Sequence, residues 1–361
     1  MRELSVFIEI NGNSEYVGEI VGNDSTDACF SYADSYRLNP EFKAISIGLP
    51  LEEKSFDAKR TRNFFEGLLP EGFTRRCVAE WMHIDENDYM SILAGLGREC
   101  LGVIKILDES DKLITSEYRK LSAEDVYKLA SEGATESADL VTKAHLSLTG
   151  ASGKVGLYYN ENEKEWYLPI GDAPSTYIVK QSHVRLKRIV ANEQLCLLTA
   201  RKVGIEVPES FIIKTESDND EVVLFATKRY DRIFKDNCKM LNGMSVPLRL
   251  HQEDFAQVLG IASADKYEKN EENYMVKIFN VLRTNSSDPV TDILKLWDIC
   301  VFNYLVGNTD NHIKNLSLLY AEDLKSVRLA PAYDIVSTMI YKGSTENMAM
   351  SINGVCVILT K

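Results

Sequence analysis

The sequence lacks any paired cysteine motif. Its seven cysteines, Cys29, Cys77, Cys100, Cys196, Cys238, Cys300 and Cys356, stand singly with an odd total and no CxxC. That pattern fits reduced thiols in a reducing compartment better than a disulfide framework or a zinc site. A long apolar run is also missing. Even LSVFIEI and DICVFNYLVG are broken by polar groups, well short of the roughly 18–20 residues of a membrane span. The opening MRELSVFIEI carries no basic segment followed by a long apolar one, so no secretory signal is expected and the cytoplasm is the expected location. Nor is there an excess of positive charge: 41 Lys and Arg face 54 Asp and Glu, a net charge of −13. The field of the whole molecule therefore repels a phosphate backbone, and direct contact with nucleic acid is not expected.

What is present is an ordinary globular balance, with 45% hydrophobic and 26% charged residues over 361 positions, enough for two or three domains or one bilobed body. Residues 3–10 and 16–21 read as strands joined by the turn NGNSE, with AISIGLP as a third strand. FFEGLLPEGFTRRCVAEWM breaks one helical run at Pro70 and Gly72 and starts another. DENDYMSILAGLG opens on capping residues and ends at Gly95 or Gly97. CLGVIKIL reads as a closing strand, and DESDKLITSE is the first candidate boundary. The expected units are 1–107, 108–235 and 236–361. SDNDE (217–221) and KYEKNEEN (266–273) read as solvated loops, and so do the basic spots at Arg60, Arg62, Arg75 and Arg76 and at Arg185, Lys187 and Arg188.

From residue 145 the pattern becomes strand, glycine turn, strand. In HLSLTGASGKVGLYYN, Gly150, Gly153 and Gly156 recur among Ser147, Thr149, Ser152 and Lys154. Such a turn can bring backbone N–H groups up to a phosphate, because glycine has no Cβ to obstruct the approach; a plain hairpin would use the same glycines. Lys180 lies in the strand-like TYIVKQ, and NEQLCLLTARKVG follows as an amphipathic helix with Leu195, Leu198 and Val203 as its apolar positions and Glu193 in its first turn. A strand lysine facing a helix glutamate is the layout of the kinase ion pair that positions phosphates. A glutamate favoured by the helix dipole is the other reading of Glu193.

Further on, Thr291 and Asp292 can cap a helix with an apolar stripe at Ile293, Leu296, Trp297, Cys300, Val301, Tyr304 and Leu305, ending at Gly307. The polar loop NTDNHIKNLSLLY follows. Asp310 and Asn315 keep the interval of HRDxxxxN, and Asp334 follows a hairpin where a metal aspartate would stand. Taken singly, each could be a turn-capping Asx residue. Together they offer a carboxylate for an attacking hydroxyl and hard oxygens for magnesium. His312 reads as a loop hydrogen-bonding residue, a phosphate contact or a structural group.

These segments resemble the HipA-like serine/threonine kinases, toxins of bacterial toxin–antitoxin systems. The resemblance rests on NFFEGLLPEG, LAGLGRECLGVIKIL, SLTGASGK, NEQLCLLTARKVGIEVP, KRYDR, HQEDFAQVLG, GNTDNHIKNLSLL and LAPAYDIVST in family order. It implies a bilobed, protein-kinase-like α+β fold with an N-terminal α+β subdomain. It also implies ATP and Mg2+ as cofactors, a protein hydroxyl as acceptor, possible targets among aminoacyl-tRNA synthetases, and a HipB-like helix-turn-helix antitoxin as partner. By the same resemblance Asp310 is catalytic and Asn315 and Asp334 bind magnesium. The ATP-binding set is Ser147, Gly150, Ala151, Ser152, Gly153 and Lys154 in the loop, Lys180, the hinge residues Lys228, Tyr230 and Asp231, and Gln252 and His312. Ser147 is also the expected autophosphorylation site. Ser152 stands where the family usually has Gln, Lys228 where an acidic residue is common, and the chain stops at Lys361 where the family continues. A catalytically silent nucleotide-binding module and a small-molecule kinase are the alternatives.

Overall fold

In RELSVFIEI every second side chain from Leu4 to Ile10 is buried, the signature of a strand with one face on a core. The computed structural model describes residues 1–98, 100–108, 115–132, 153–181, 186–215, 222–269 and 272–352, with the backbone of 355–357. Ser147, Gly150, Ala151, Ser152, Arg185 and SDNDE lie outside the described residues.

Strand β1 (Arg2–Ile10) turns through Asn11 and Gly12, both at positive φ, into β2 (Asn13–Gly22). Paired positive φ values give the turn a twist that matches the flanking strands. With β3 (Cys29–Tyr32) and β4 (Ile104–Asp108) they form a sheet of order β3-β2-β1-β4. Helices α1 (Asp34–Arg37), α2 (Ala58–Phe65), α3 (Gly72–Met82) and α4 (Tyr89–Leu96) complete this region. The break between α2 and α3 falls at Pro70, and α4 stops at Gly97.

AISIGLP is not a strand. Its backbone groups are taken by side chains instead of a neighbouring strand: Ile45 N–H donates to Tyr32 Oη at 3.1 Å, Ile47 N–H to Glu253 at 3.2 Å, and Leu49 C=O accepts from Tyr32 at 2.6 Å. With those groups satisfied, the segment serves as a seam to the rest of the chain.

A second sheet, β5-β7-β6-β8-β10-β9, is built from β5 (Glu117–Lys120), β6 (Lys154–Asn160), β7 (Glu165–Ile170), β8 (Tyr177–Gln181), β9 (Ser210–Lys214) and β10 (Val223–Lys228). Helices α5 (Ala123–Glu132) and α6 (Ile189–Lys202) accompany it. Short ladders follow, β11 (Arg232–Ile233) with β14 (Leu248–Arg249) and β12 (Met240–Leu241) with β13 (Met244–Ser245). The helical part contains α7 (Phe255–Leu259), α8 (Tyr274–Asn285) and α9 (Pro289–Val306). The sheet of β15 (Gln252–Asp254), β16 (Ser317–Tyr320) and β17 (Val327–Leu329) carries the two candidate loops.

Two helix faces differ from the sequence expectation. Leu195 and Leu198 of α6, and Val203 just past its end, are exposed, while Val190, Glu193, Cys196, Leu197 and Ala200 turn inward. Glu193 thus sits in the second turn on the buried face, not in the first turn. In α9, the cap is Asp288, which accepts from Thr291 N–H at 3.3 Å, with Pro289 opening the helix. Asp292 is instead a buried anchor that takes the Arg328 guanidinium and Leu329 N–H. Leu296 and Cys300 are buried as expected, but Trp297, Val301 and Leu305 face outward, and Ile299, Phe302 and Asn303 replace them. The basic spot in the N-terminal region is ion-paired, Arg60 with Glu53 and both Arg62 and Arg75 with Glu66. Six described cysteines are free thiols. Among the described residues no helix is long and apolar enough to cross a membrane.

Candidate active site

Strand β6 runs antiparallel to β8 with Lys154 directly opposite Lys180, so both ammonium groups leave the sheet on one face. Lys180 Nζ meets Glu193 Oε1 of α6 at 2.7 Å and also bonds Asp334 Oδ1. Burial pushes the Glu193 carboxyl up to about 7 against the pull of Lys180. Asp334 resists the same upward push because the Lys180 and Lys154 ammonium groups hold it well below the carboxylate range. Lys154 is lowered by its removal from water. The dipole reading of Glu193 is therefore unnecessary: its carboxylate is committed to a buried ion pair.

The aspartate loop is set by the end of α9. Gly307 caps the helix in the left-handed region at φ 69°, which turns the chain toward the cleft. Asn308 then donates from Nδ2 to Asn303 Oδ1 at 2.6 Å, and its Oδ1 accepts the Asp310 N–H at 3.1 Å. Asn315 Nδ2 closes the loop on Asp310 C=O at 2.8 Å. Asp334 has φ 53°, a conformation that aspartate tolerates better than most residues but that still costs energy, and such strain gathers at functional sites.

At the other end, Tyr230 stacks on Tyr333 with ring centroids 6.0 Å apart, and its hydroxyl donates to Gln252. Asp231 is less available than its position suggests. Its oxygens accept from Arg229 at 2.9 and 2.7 Å, from Arg232 at 2.8 Å and from Gln252 at 3.0 Å. Lys228 lies at the rim, paired with Glu161 at 3.0 Å.

Gly153, Lys154, Lys180, Glu193, Lys228, Tyr230, Asp231, Gln252, Asp310, His312, Asn315 and Asp334 all line one cleft of about 1020 Å³. Every described candidate residue is therefore brought together, from segments up to 181 residues apart (Gly153 to Asp334). Burial lowers His312 to about 3, so its imidazole is neutral, and among the described residues its buried Nδ1 has no hydrogen-bond partner. Among the described residues no cluster of His, Cys, Asp and Glu makes a self-sufficient metal cage. Asn315 and Asp334 still fit magnesium, because that ion keeps its waters and needs few protein oxygens when phosphates supply the rest.

Sequence reasoning missed Glu71, Lys266, Tyr267 and Lys314, which line the same cleft. KYEKNEEN is accordingly not simply a solvated loop. Lys266 Nζ pairs with Glu71 Oε2 at 2.7 Å, Lys314 Nζ lies 3.6 Å from Glu71 Oε1 and 2.7 Å from Asp254, and Glu71 comes from the N-terminal region. The lysines, which attract the charged form, outweigh burial and hold the Glu71 carboxyl below its ordinary value. Replacing Glu71 by Gln should leave the partly buried Lys266 with an uncompensated charge and lower stability by about 2 kcal/mol, the worth of a hydrogen bond to a charged group. Urea denaturation checks this, with a lower midpoint and an unchanged slope expected.

A sheet lobe and a helical lobe, with a lysine–glutamate pair and an aspartate loop facing one cleft, define a bilobed α+β fold of the protein-kinase kind. The chain belongs to the HipA family and is a HipA-like kinase: the family model for the HipA-like C-terminal domain matches residues 146–356, and that for the HipA N-terminal domain matches residues 8–107. The Y4mE protein of Sinorhizobium fredii is 31% identical over 345 residues, covering 93% of this chain and 78% of that protein. The serine/threonine-protein kinase toxin HipA of Shewanella oneidensis is 25% identical over 355 residues, covering 94% and 78%. A solved complex of HipA, HipB and operator DNA from Shewanella oneidensis aligns with a TM-score of 0.77 at 21% identity, over 98% of this chain and 80% of that one. At that identity the likeness is one of fold.

Proposed function

We propose that the protein is an ATP- and magnesium-dependent serine/threonine kinase that phosphorylates a protein hydroxyl. The observation that carries this reading is the Lys180–Glu193 pair, with Asp334 on the same ammonium, in one cleft with Asp310 and Asn315. In it Lys180 and Lys154 attract and orient the phosphates, and Glu193 keeps Lys180 extended. Tyr230 and Gln252 bound the region for the adenine, with Lys228 and Asp231 as its neighbours in the hinge. Asp310 accepts the proton and orients the attacking hydroxyl, and His312 offers a neutral imidazole near the phosphates. Asn315 and Asp334 would hold magnesium, which when bound screens the phosphate charge.

The units remain 1–107, 108–235 and 236–361, the first packed on the kinase lobes. A HipB-like helix-turn-helix antitoxin is the partner suggested by the complex of the Shewanella protein, and with a net charge of −13 any contact with DNA is assigned to that antitoxin. The target is an aminoacyl-tRNA synthetase or another translation protein in the cytoplasm. Autophosphorylation at Ser147 is the control, because a phosphate of about −1.5 to −2 charge in a phosphate-binding loop repels ATP.

Incubating a cell lysate with the protein and γ-labelled ATP, followed by mass spectrometry, tests the reading. Label on protein serine or threonine supports it. Label confined to small molecules, or none, rejects it in favour of a small-molecule kinase or a silent module. Phosphopeptides spanning 144–157 report on Ser147 in the same experiment.

A further inference from the structure

Tyr267 is held where an acceptor hydroxyl would have to come. Its phenol hydroxyl donates a hydrogen bond to Asp310 Oδ1, the atom type that a substrate serine or threonine would address. The ring stands edge-on to His312 at 5.1 Å and 85°, and Lys266 Nζ lies 5.6 Å from its centroid. Its neighbours in the chain are anchored on both sides. Lys266 pairs with Glu71 of the N-terminal region at 2.7 Å. The Glu268 carboxylate accepts Ser351 N–H at 2.8 Å and the Ser351 hydroxyl at 2.6 Å. The hydroxyl is therefore delivered to Asp310 by a braced segment, while Tyr267 as a residue remains 42% exposed and has solvent to move into.

Given that Asp310 is the group that receives the acceptor, we propose that Tyr267 is an internal stand-in for the acceptor hydroxyl, which a protein substrate must displace before transfer. Tyr267 occupies Oδ1 of Asp310, and although a carboxylate can accept more than one hydrogen bond, an acceptor hydroxyl that addresses Oδ1 along the approach the phenol uses must first displace it. The device costs the enzyme apparent affinity for its acceptor in proportion to the time the phenol spends on Asp310. It leaves ATP untouched, because the Lys180–Glu193 pair is formed by other residues.

The test uses the full chain with dephosphorylated casein as acceptor probe and γ-labelled ATP with magnesium. Tyr267→Phe keeps the ring and deletes only the hydroxyl. Its kcat/KM for casein should rise about three- to tenfold, the range of one hydrogen bond of ordinary net strength. The change should fall on the KM for casein and not on that for ATP, and the same factor should appear in casein binding measured without nucleotide. A Tyr267→Phe protein no faster and no tighter than the parent overturns the stand-in role. Asp310→Asn, run in parallel, separates the two levels. If it is silent while Tyr267→Phe is unchanged, only the stand-in falls; if it retains transfer, the assignment of Asp310 falls as well.

Discussion

Asp310→Asn should lower phosphoryl transfer by about a hundred- to ten-thousand-fold, the usual worth of a positioned general base, while ATP affinity stays within a factor of about two. The asymmetry follows from geometry. Asp310 sits on the loop after α9, where its backbone N–H is held by Asn308 and its carbonyl by Asn315. The candidate phosphate-binding cations, Lys154 and Lys180, belong to β6 and β8. An amide at 310 keeps the size of the side chain but loses its negative charge and its basicity. Asp334→Ala should behave differently, because it removes a candidate magnesium ligand and a carboxylate that shares the Lys180 ammonium. That variant should lose MgATP affinity by tenfold or more. Isothermal calorimetry with ATP and magnesium, beside a transfer assay, distinguishes the two. Full activity in Asp310→Asn would refute the assignment of the loop.

The largest effect on stability is expected at Asp231→Ala, a loss of about 3–5 kcal/mol. Asp231 is fully enclosed and balances both Arg229 and Arg232, which also hold the hydroxyl and carbonyl of Ser175 at 3.0 and 2.9 Å. Without the carboxylate, two guanidinium groups remain in a dry environment with too few acceptors. The same knot makes the protein acid-sensitive. Burial opposes ionisation of Asp231, but Arg229 and Arg232 outweigh it and lower its pKa from 3.8 to about 2. Its contribution is thus complete above pH 3.8 and is lost as pH falls toward 2, an amount of about 2 kcal/mol. Urea midpoints measured from pH 5 down to pH 2 should fall in the parent, and fall less steeply, by about this amount, in a folded Asp231→Ala protein, where the other depressed carboxylates still contribute.

The local punctuation was legible in the sequence because its causes are local. Asn11-Gly12, Pro70 and Gly307 act through their own backbone preferences, and each ends or turns an element where it stands. The candidate site residues were legible for a related reason. Asp310 and Asn315 lie in one loop, and Lys180 and Glu193 in consecutive elements, so their spacing in the chain constrains their spacing in the fold. Helix faces were harder. Apolar periodicity points to Leu195 and Leu198, yet α6 turns Glu193 inward because the Lys180 ammonium awaits it there, and a buried carboxylate does not register in a count of apolar positions. AISIGLP failed as a strand for a comparable reason, since its partners are side chains from Tyr32 and Glu253 and not a neighbouring strand.

By itself the sequence determined the local punctuation of the elements and, through its motifs, the family, and it nominated candidate residues for handling a phosphate, since these depend on residue type and short intervals. Only the tertiary structure decided that Glu71 reaches Lys266 and Lys314 across 195 and 243 positions of chain, and that Tyr267 closes on Asp310. No short-range preference encodes such meetings. They arise when surfaces distant in the chain pack and their buried charges and hydroxyls must find partners on each other.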